Sequence, residues 1–135
     1  MALHFFKAAG GVGPIADDAG QSGAAIFDDV TFDGTAGQSR DQGLFVRNAD
    51  STKQYQNLLI TIEDSDPVID AVMIRMATTQ AGLDSASPGA SQPLPNIAAG
   101  PSETQMFVRV TIPPGTAVGN YVGIKLVINS IELAV

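Results

Sequence analysis

Gln105-Met106-Phe107-Val108-Arg109-Val110-Thr111-Ile112, QMFVRVTI, is the stretch that decides the fold class. Met106, Val108, Val110 and Ile112 form one apolar set, and Gln105, Phe107, Arg109 and Thr111 form a mixed one. A period of two belongs to a strand with one face on a core, whereas a helix repeats every 3.6 residues.

The same reading extends outward in both directions. Leu58, Ile60 and Ile62 alternate with Leu59, Thr61 and Glu63. Val72, Ile74 and Met76 alternate with Ala71, Met73 and Arg75, and Ile124, Leu126 and Ile128 alternate with Lys125, Val127 and Asn129. Shorter strand candidates are Ile26–Phe32, Leu44–Asn48 and Ile131–Val135. Turn chemistry separates them at Asp33-Gly34, Asn48-Ala49-Asp50, Asp64–Pro67, Pro113-Pro114-Gly115 and Gly119-Asn120. No window carries a helical stripe. About seven short strands with frequent turns predict an all-β, antiparallel sandwich. The core is expected on Leu58, Ile60, Val72, Ile74, Val108, Val110, Ile124 and Leu126. The longest break, Ala81–Pro95 (AGLDSASPGASQPLP), reads as a functional or mobile loop.

A chain of 135 residues fits one domain with one core. It has no cysteine, so neither a disulfide nor a thiolate metal site can form, which suits a reducing compartment. The opening MALHFFKAAGGVGPI lacks the pattern of a signal peptide, and no apolar run reaches the roughly 20 residues of a membrane helix. The product is therefore expected to stay where it is made or to leave by lysis, with no membrane partner. Net charge is −7 with only seven Lys and Arg, which argues against nucleic acid as a partner. Only 16% of residues are charged, below the usual value of about 25%. With a mean hydropathy of +0.16, that scarcity predicts surface covered by other subunits.

Residues 8–25 are nearly all small or turn-forming and hold too few large apolar groups for a core of their own. The chain is accordingly divided into an extended N-terminal arm, 1–25, and a sandwich domain, 26–135. Leu3, His4, Phe5 and Phe6 at the head of the arm are the expected partner-binding anchor.

Two segments carry a family resemblance. Ile97–Ser102 reads I-x-A-G-x-S, a strand ending in proline follows, and Gly115–Tyr121 reads G-T-A-x-G-x-Y. Earlier, Val46–Asp50 reads V-x-N-x-D, and Tyr55–Ile60 reads Y-x-N-L-x-I. This cadence resembles immunoglobulin-like domains of bacterial surface proteins, glycoside-hydrolase accessory modules and tailed-phage virion proteins. The resemblance covers about two-thirds of the chain and implies an immunoglobulin-like sandwich. It leaves function open, because that fold hosts many roles. Tyr121 falls out of phase with Ile124, and a bulge at Gly123 would reconcile them.

Catalytic chemistry finds little material. His4 is the only histidine and lies in the expected arm, without a positioned partner. No G-x-S-x-G elbow occurs, and Gly10-Gly11-Val12-Gly13 lacks the G-K-[ST] of a phosphate loop. Asp17-Asp18, Asp28-Asp29-Asp33 and Glu63-Asp64-Asp66 offer oxygen ligands for calcium, yet their spacing is not that of an EF-hand, and solvated turns explain them as well. Phe45, Tyr55 and Phe107 suit a sugar platform or, more simply, cross-strand packing. No catalytic residue, cofactor or metal is expected.

The combined expectation is a non-enzymatic capsid decoration (cement) protein of a tailed phage, located in the virion. Its partners would be the major capsid protein or another virion protein, and further copies of itself in a homo-oligomer such as a trimer. Another virion component (neck, tail or fibre), or a carbohydrate-binding or adhesion module of a larger exported protein, are the alternatives.

Overall fold

The computed structural model describes residues 3–15, 24–25, 31–32, 38–64, 74–112, 119–120 and 124–135. In chain order the strands are β1 (Leu3–Ala8), β2 (Val12–Pro14), β3 (Ala24–Ala25), β4 (Thr31–Phe32), β5 (Gln38–Asn48), β6 (Lys53–Asp64), β7 (Ile74–Ala77), β8 (Gln92–Leu94), β9 (Ser102–Ile112), β10 (Gly119–Asn120) and β11 (Ile124–Ala134). One sheet has five strands in the order β2-β1-β5-β9-β7, and a second has four in the order β3-β11-β6-β8. Among the described residues, short β4 and β10 pair only with each other. Every pairing among the described residues is antiparallel.

The two large sheets face each other across one core. Leu44, Val46, Ile74, Met106, Val108 and Val110 enter it from the five-stranded sheet; Leu58, Ile60, Leu126 and Ile128 enter from the other. The protein is an all-β antiparallel sandwich. Of the expected core residues, Leu58, Ile60, Ile74, Val108, Val110 and Leu126 are all buried. Val72, and the side chain of Ile124, lie outside the described residues.

Alternation alone does not explain the inner face of β6, where Tyr55 and Leu58 both point inward. The pairing with β11 steps from Leu59↔Asn129 to Gln56↔Ile131, so β6 carries one extra residue. That residue is accommodated at Asn57, whose φ is +54°, a left-handed conformation that asparagine tolerates well. Its backbone N–H donates to Asn96 Oδ1 at 3.2 Å. The bulge lets Tyr55 bury its ring while the side chains of Leu58 and Ile60 stay inside. The position expected to hold a bulge, Gly123, lies outside the described residues, as does Tyr121.

The N-terminal arm needs correction over residues 3–15, which form part of the sandwich. Leu3, His4, Phe5 and Phe6 pair with Asn48, Arg47, Val46 and Phe45 of β5. Gly10 and Gly11 take φ of +76° in the turn that folds β2 back on β1, so the glycines that looked like a linker form a tight hairpin. The physical reason is that β1 covers an otherwise open edge of β5 and adds two large side chains to the core. Residues 16–23 of the proposed arm lie outside the described residues.

Ala81–Pro95 is not an open loop either. Ala81–Asp84 form a 3-10 turn that buries Leu83 completely, and Gly89 N–H donates to Ile74 O at 2.8 Å. Gln92–Leu94 then pair with β6 as an edge strand, a place where Pro93 is tolerated. Gly119-Asn120, expected as a turn, pair with Thr31–Phe32. The expected turns at Asp33-Gly34 and Pro113–Gly115, most of that at Asp64–Pro67, and residues 26–30 of the strand candidate Ile26–Phe32 lie outside the described residues.

Candidate functional site

Two surfaces of the sandwich carry side chains that its core does not consume. The first is the outer face of the five-stranded sheet, where residues line up in rows across strands. Arg47 stands between His4 and Glu103, Phe45 between Phe6 and Gln105, Phe107 between Gly43 and Ala77, and Arg109 between Asp41 and Arg75. Arg47 Nη1 lies 3.4 Å from Glu103 Oε2, and the Glu103 carboxylate also accepts the Gly10 N–H at 3.2 Å. A backbone contact from the β1–β2 hairpin is thus tied to β9. The Phe107 ring covers Gly43, where a Cβ would come within 3.3 Å of it.

At one end of this face Ser39, Arg40, Asp41, Arg75, Arg109 and Thr111 line a pocket of about 520 Å³. Arg109 and Asp41 form a two-pronged ion pair, Nε to Oδ1 at 2.7 Å and Nη2 to Oδ2 at 3.0 Å. Arg109 Nη1 also donates to Asp84 Oδ1 at 2.8 Å, and Gln80 Nε2 donates to Asp41 Oδ2. The Arg109 hydrogen bonds hold the Asp41 carboxyl below its ordinary pKa, and the two carboxylates raise that of Arg109. Ser39 Oγ and Thr111 Oγ1 sit 3.1 Å apart. Arg40 and Arg75 have no acidic partner among the described residues.

The second surface is the outer side of β11. Its alternation continues through the β6 bulge undisturbed, so Leu126 and Ile128 face the core while Ile131 and Leu133 face out. Ile131, Leu133 and Val135 are 49%, 37% and 72% exposed. Glu132, on the inward phase between them, accepts the Tyr55 hydroxyl at 2.9 Å and pairs with Lys53 Nζ at 3.7 Å. Val12 is the other large apolar side chain exposed among the described residues.

The expected anchor Leu3–Phe6 is split by its own alternation. Leu3 and Phe5 are fully buried, whereas His4 and Phe6 lie half-buried on the outer face. Leu3 and Phe5 therefore cannot dock on a neighbour while β1 stays in the sheet. The aromatic platform is not assembled: Tyr55 is in the core from one sheet, and Phe45 and Phe107 are on the outside of the other. Of the proposed calcium ligands, Asp17, Asp18, Asp28, Asp29, Asp33 and Asp66 lie outside the described residues, as do the side chains of Glu63 and Asp64. Among the described residues no group of His, Asp and Glu is arranged to hold a metal.

Sequence reasoning passed over both surfaces. Ile131, Leu133 and Val135 are out of phase with Leu126 and Ile128, which is a legible sign of outward apolar side chains. The arginine pocket had a weaker sign: Arg75 and Arg109 each occupy the outward phase of their strands. That they meet depends on β7 pairing with β9, which periodicity does not reveal.

Comparison with known proteins finds no matching family model, no matching curated protein and no matching solved structure.

Proposed function

We propose that this chain is a non-enzymatic structural protein, a capsid decoration (cement) protein that binds and stabilises the shell of a tailed phage. The observation that carries the reading is the exposed apolar row Ile131, Leu133 and Val135 on the outer side of β11. Three large aliphatic groups in a chain with few charges favour a partner surface over open water. Covering them offers about 3 kcal/mol of gross transfer free energy, which is modest for one copy. Assembly as a homo-oligomer, a trimer at a capsid symmetry axis, would raise occupancy by avidity. The partner in this reading is the major capsid protein, and assembly takes place in the host cytoplasm. A neck, tail or fibre component would use the same row.

Kinship with immunoglobulin-like virion domains belongs to this proposal. It is supported by the way the two resembling segments dock: Tyr55 and Ile97 exchange backbone hydrogen bonds of 2.9 Å in both directions. A second reading, a carbohydrate-binding or adhesion module of a larger exported protein, is favoured by the arginine-lined pocket.

The test is occupancy on particles lacking the native protein, for the full chain and for the Ile131→Ser/Leu133→Ser double variant. We expect the variant to keep its β-structure and to lose at least about tenfold in affinity. Full occupancy by a folded double variant would remove the β11 row from the contact.

A further inference from the structure

We infer that the pocket between Arg40, Arg75 and Arg109 binds an oxyanion carried by a small hydroxylated ligand, an acidic sugar. The inference does not depend on whether the chain decorates a virion.

The charge distribution is the first argument. The chain has a net charge of −7 and four arginines, and three of the four line this one pocket. Arg75 and Arg109 are direct register partners on neighbouring strands. Like charges placed opposite each other across a strand pair are destabilising unless something compensates them. Asp41 and Asp84 compensate Arg109, with contacts of 2.7 and 2.8 Å. No described acid compensates Arg75 or Arg40. The pocket therefore keeps an excess of positive charge that an incoming anion would neutralise.

Geometry assigns the roles. Arg109 is committed: Asp41 holds it from one side and Asp84 from the other, and Gln80 braces Asp41. It acts as a positioning residue and as part of the wall. Arg75, half-buried beside it, has no ion-pair partner among the described residues, and its guanidinium fork matches the two oxygens of a carboxylate or phosphate. Arg40, exposed and also lining the pocket, pairs with Val110 and so stands on the opposite phase of β5 from Asp41; its charge adds to the local positive field without reaching in beside Arg75. Ser39 and Thr111 supply hydroxyls that both donate and accept, which suits the hydroxyl groups of a sugar rather than a bare ion. The pocket is a wide-open depression of about 520 Å³ on the sheet face, so a bound ligand would keep much of its surface in water.

The experiment is calorimetric titration of the full chain with four probes: glucuronate, glucose 1-phosphate, glucose and inorganic phosphate. The two acidic sugars separate a carboxylate source from a phosphate source, and the other two separate the anion from the ring. We expect at least one acidic sugar to bind, glucose not to bind, and inorganic phosphate to bind at least about tenfold more weakly than that sugar. Arg75→Gln should weaken binding by about tenfold or more, and Arg75→Lys should restore only part of it, since lysine keeps the charge but not the fork. Arg40→Gln, at an exposed position, repeats the test on a site whose loss leaves the sandwich intact. Equal binding of glucose, equal binding of inorganic phosphate, unchanged affinity in folded Arg75→Gln and Arg40→Gln, or no binding of either acidic sugar at about 10 mM would each overturn the inference.

Discussion

The Asn48 amide donates to the Ala98 carbonyl at 3.0 Å, joining two segments that lie fifty residues apart. The same Nδ2 donates to Lys53 O at 2.9 Å, and Oδ1 accepts the Asp50 N–H at 2.9 Å. Asn48 is fully buried, and all of these bonds are satisfied inside the protein. Gly100 follows closely: its N–H donates to Asp50 O at 2.9 Å, and a Cβ there would sit 2.6 Å from the Asn48 carbonyl oxygen. Asn48 thus ends β5, shapes the turn into β6 and seats the chain entering β9.

Replacing Asn48 by alanine should therefore cost far more than one hydrogen bond. It removes the side-chain partner of two carbonyls and one N–H in part-buried positions, so we expect a loss of about 2–3 kcal/mol. Urea denaturation with an unchanged slope would measure it, and a midpoint equal to wild type would contradict the network.

Phe5→Ala should destabilise by about 3–5 kcal/mol, because Phe5 is a core side chain rather than a free anchor. Deleting residues 1–8 should expose the edge of β5 and lower the melting temperature. A truncated chain that melts with the intact one would show that β1 contributes nothing to the sandwich.

Ile60→Ala and Leu126→Ala should each cost about 2–5 kcal/mol. Ile131→Ser, on the outward phase of β11, should stay within about 0.5 kcal/mol of wild type. Thermal melts of the three variants would check the register, since a one-residue slip exchanges the two faces of a strand.

Acid should weaken the Arg109–Asp41 ion pair. The folded-state pKa of Asp41 lies below its ordinary value of 3.8, so its contribution is present above that pH and is lost as pH falls through the folded value. Both partners are partly solvent-exposed, so the contribution is about 1 kcal/mol or less. Asp41→Asn should lower stability at neutral pH and flatten the pH dependence below about pH 4. Stability curves of the two proteins that stay parallel down to pH 2.5 would contradict it.

Periodicity by itself determined that the chain is all β and which side chains face the core on its long strands. That was possible because a strand alternates with period two whatever it pairs with, so Val108 and Val110 separate from Phe107 and Arg109 without knowledge of any neighbour. The same rule also placed Leu3 and Phe5 opposite His4 and Phe6, but composition obscured it: a hairpin turn of glycines reads as a linker until its partner strand is known. What only the tertiary structure decided is who pairs with whom. β5 and β7 both pair with β9, and β6 pairs with β11, strands far apart in the sequence. That pairing brings Arg40, Arg75 and Arg109 to one pocket and seats Asn48 against Ala98. It also places the extra residue of β6 at Asn57, so that Tyr55 and Leu58 can share a face. Such long-range choices depend on the summed burial and hydrogen bonding of both sheets, which no local pattern contains.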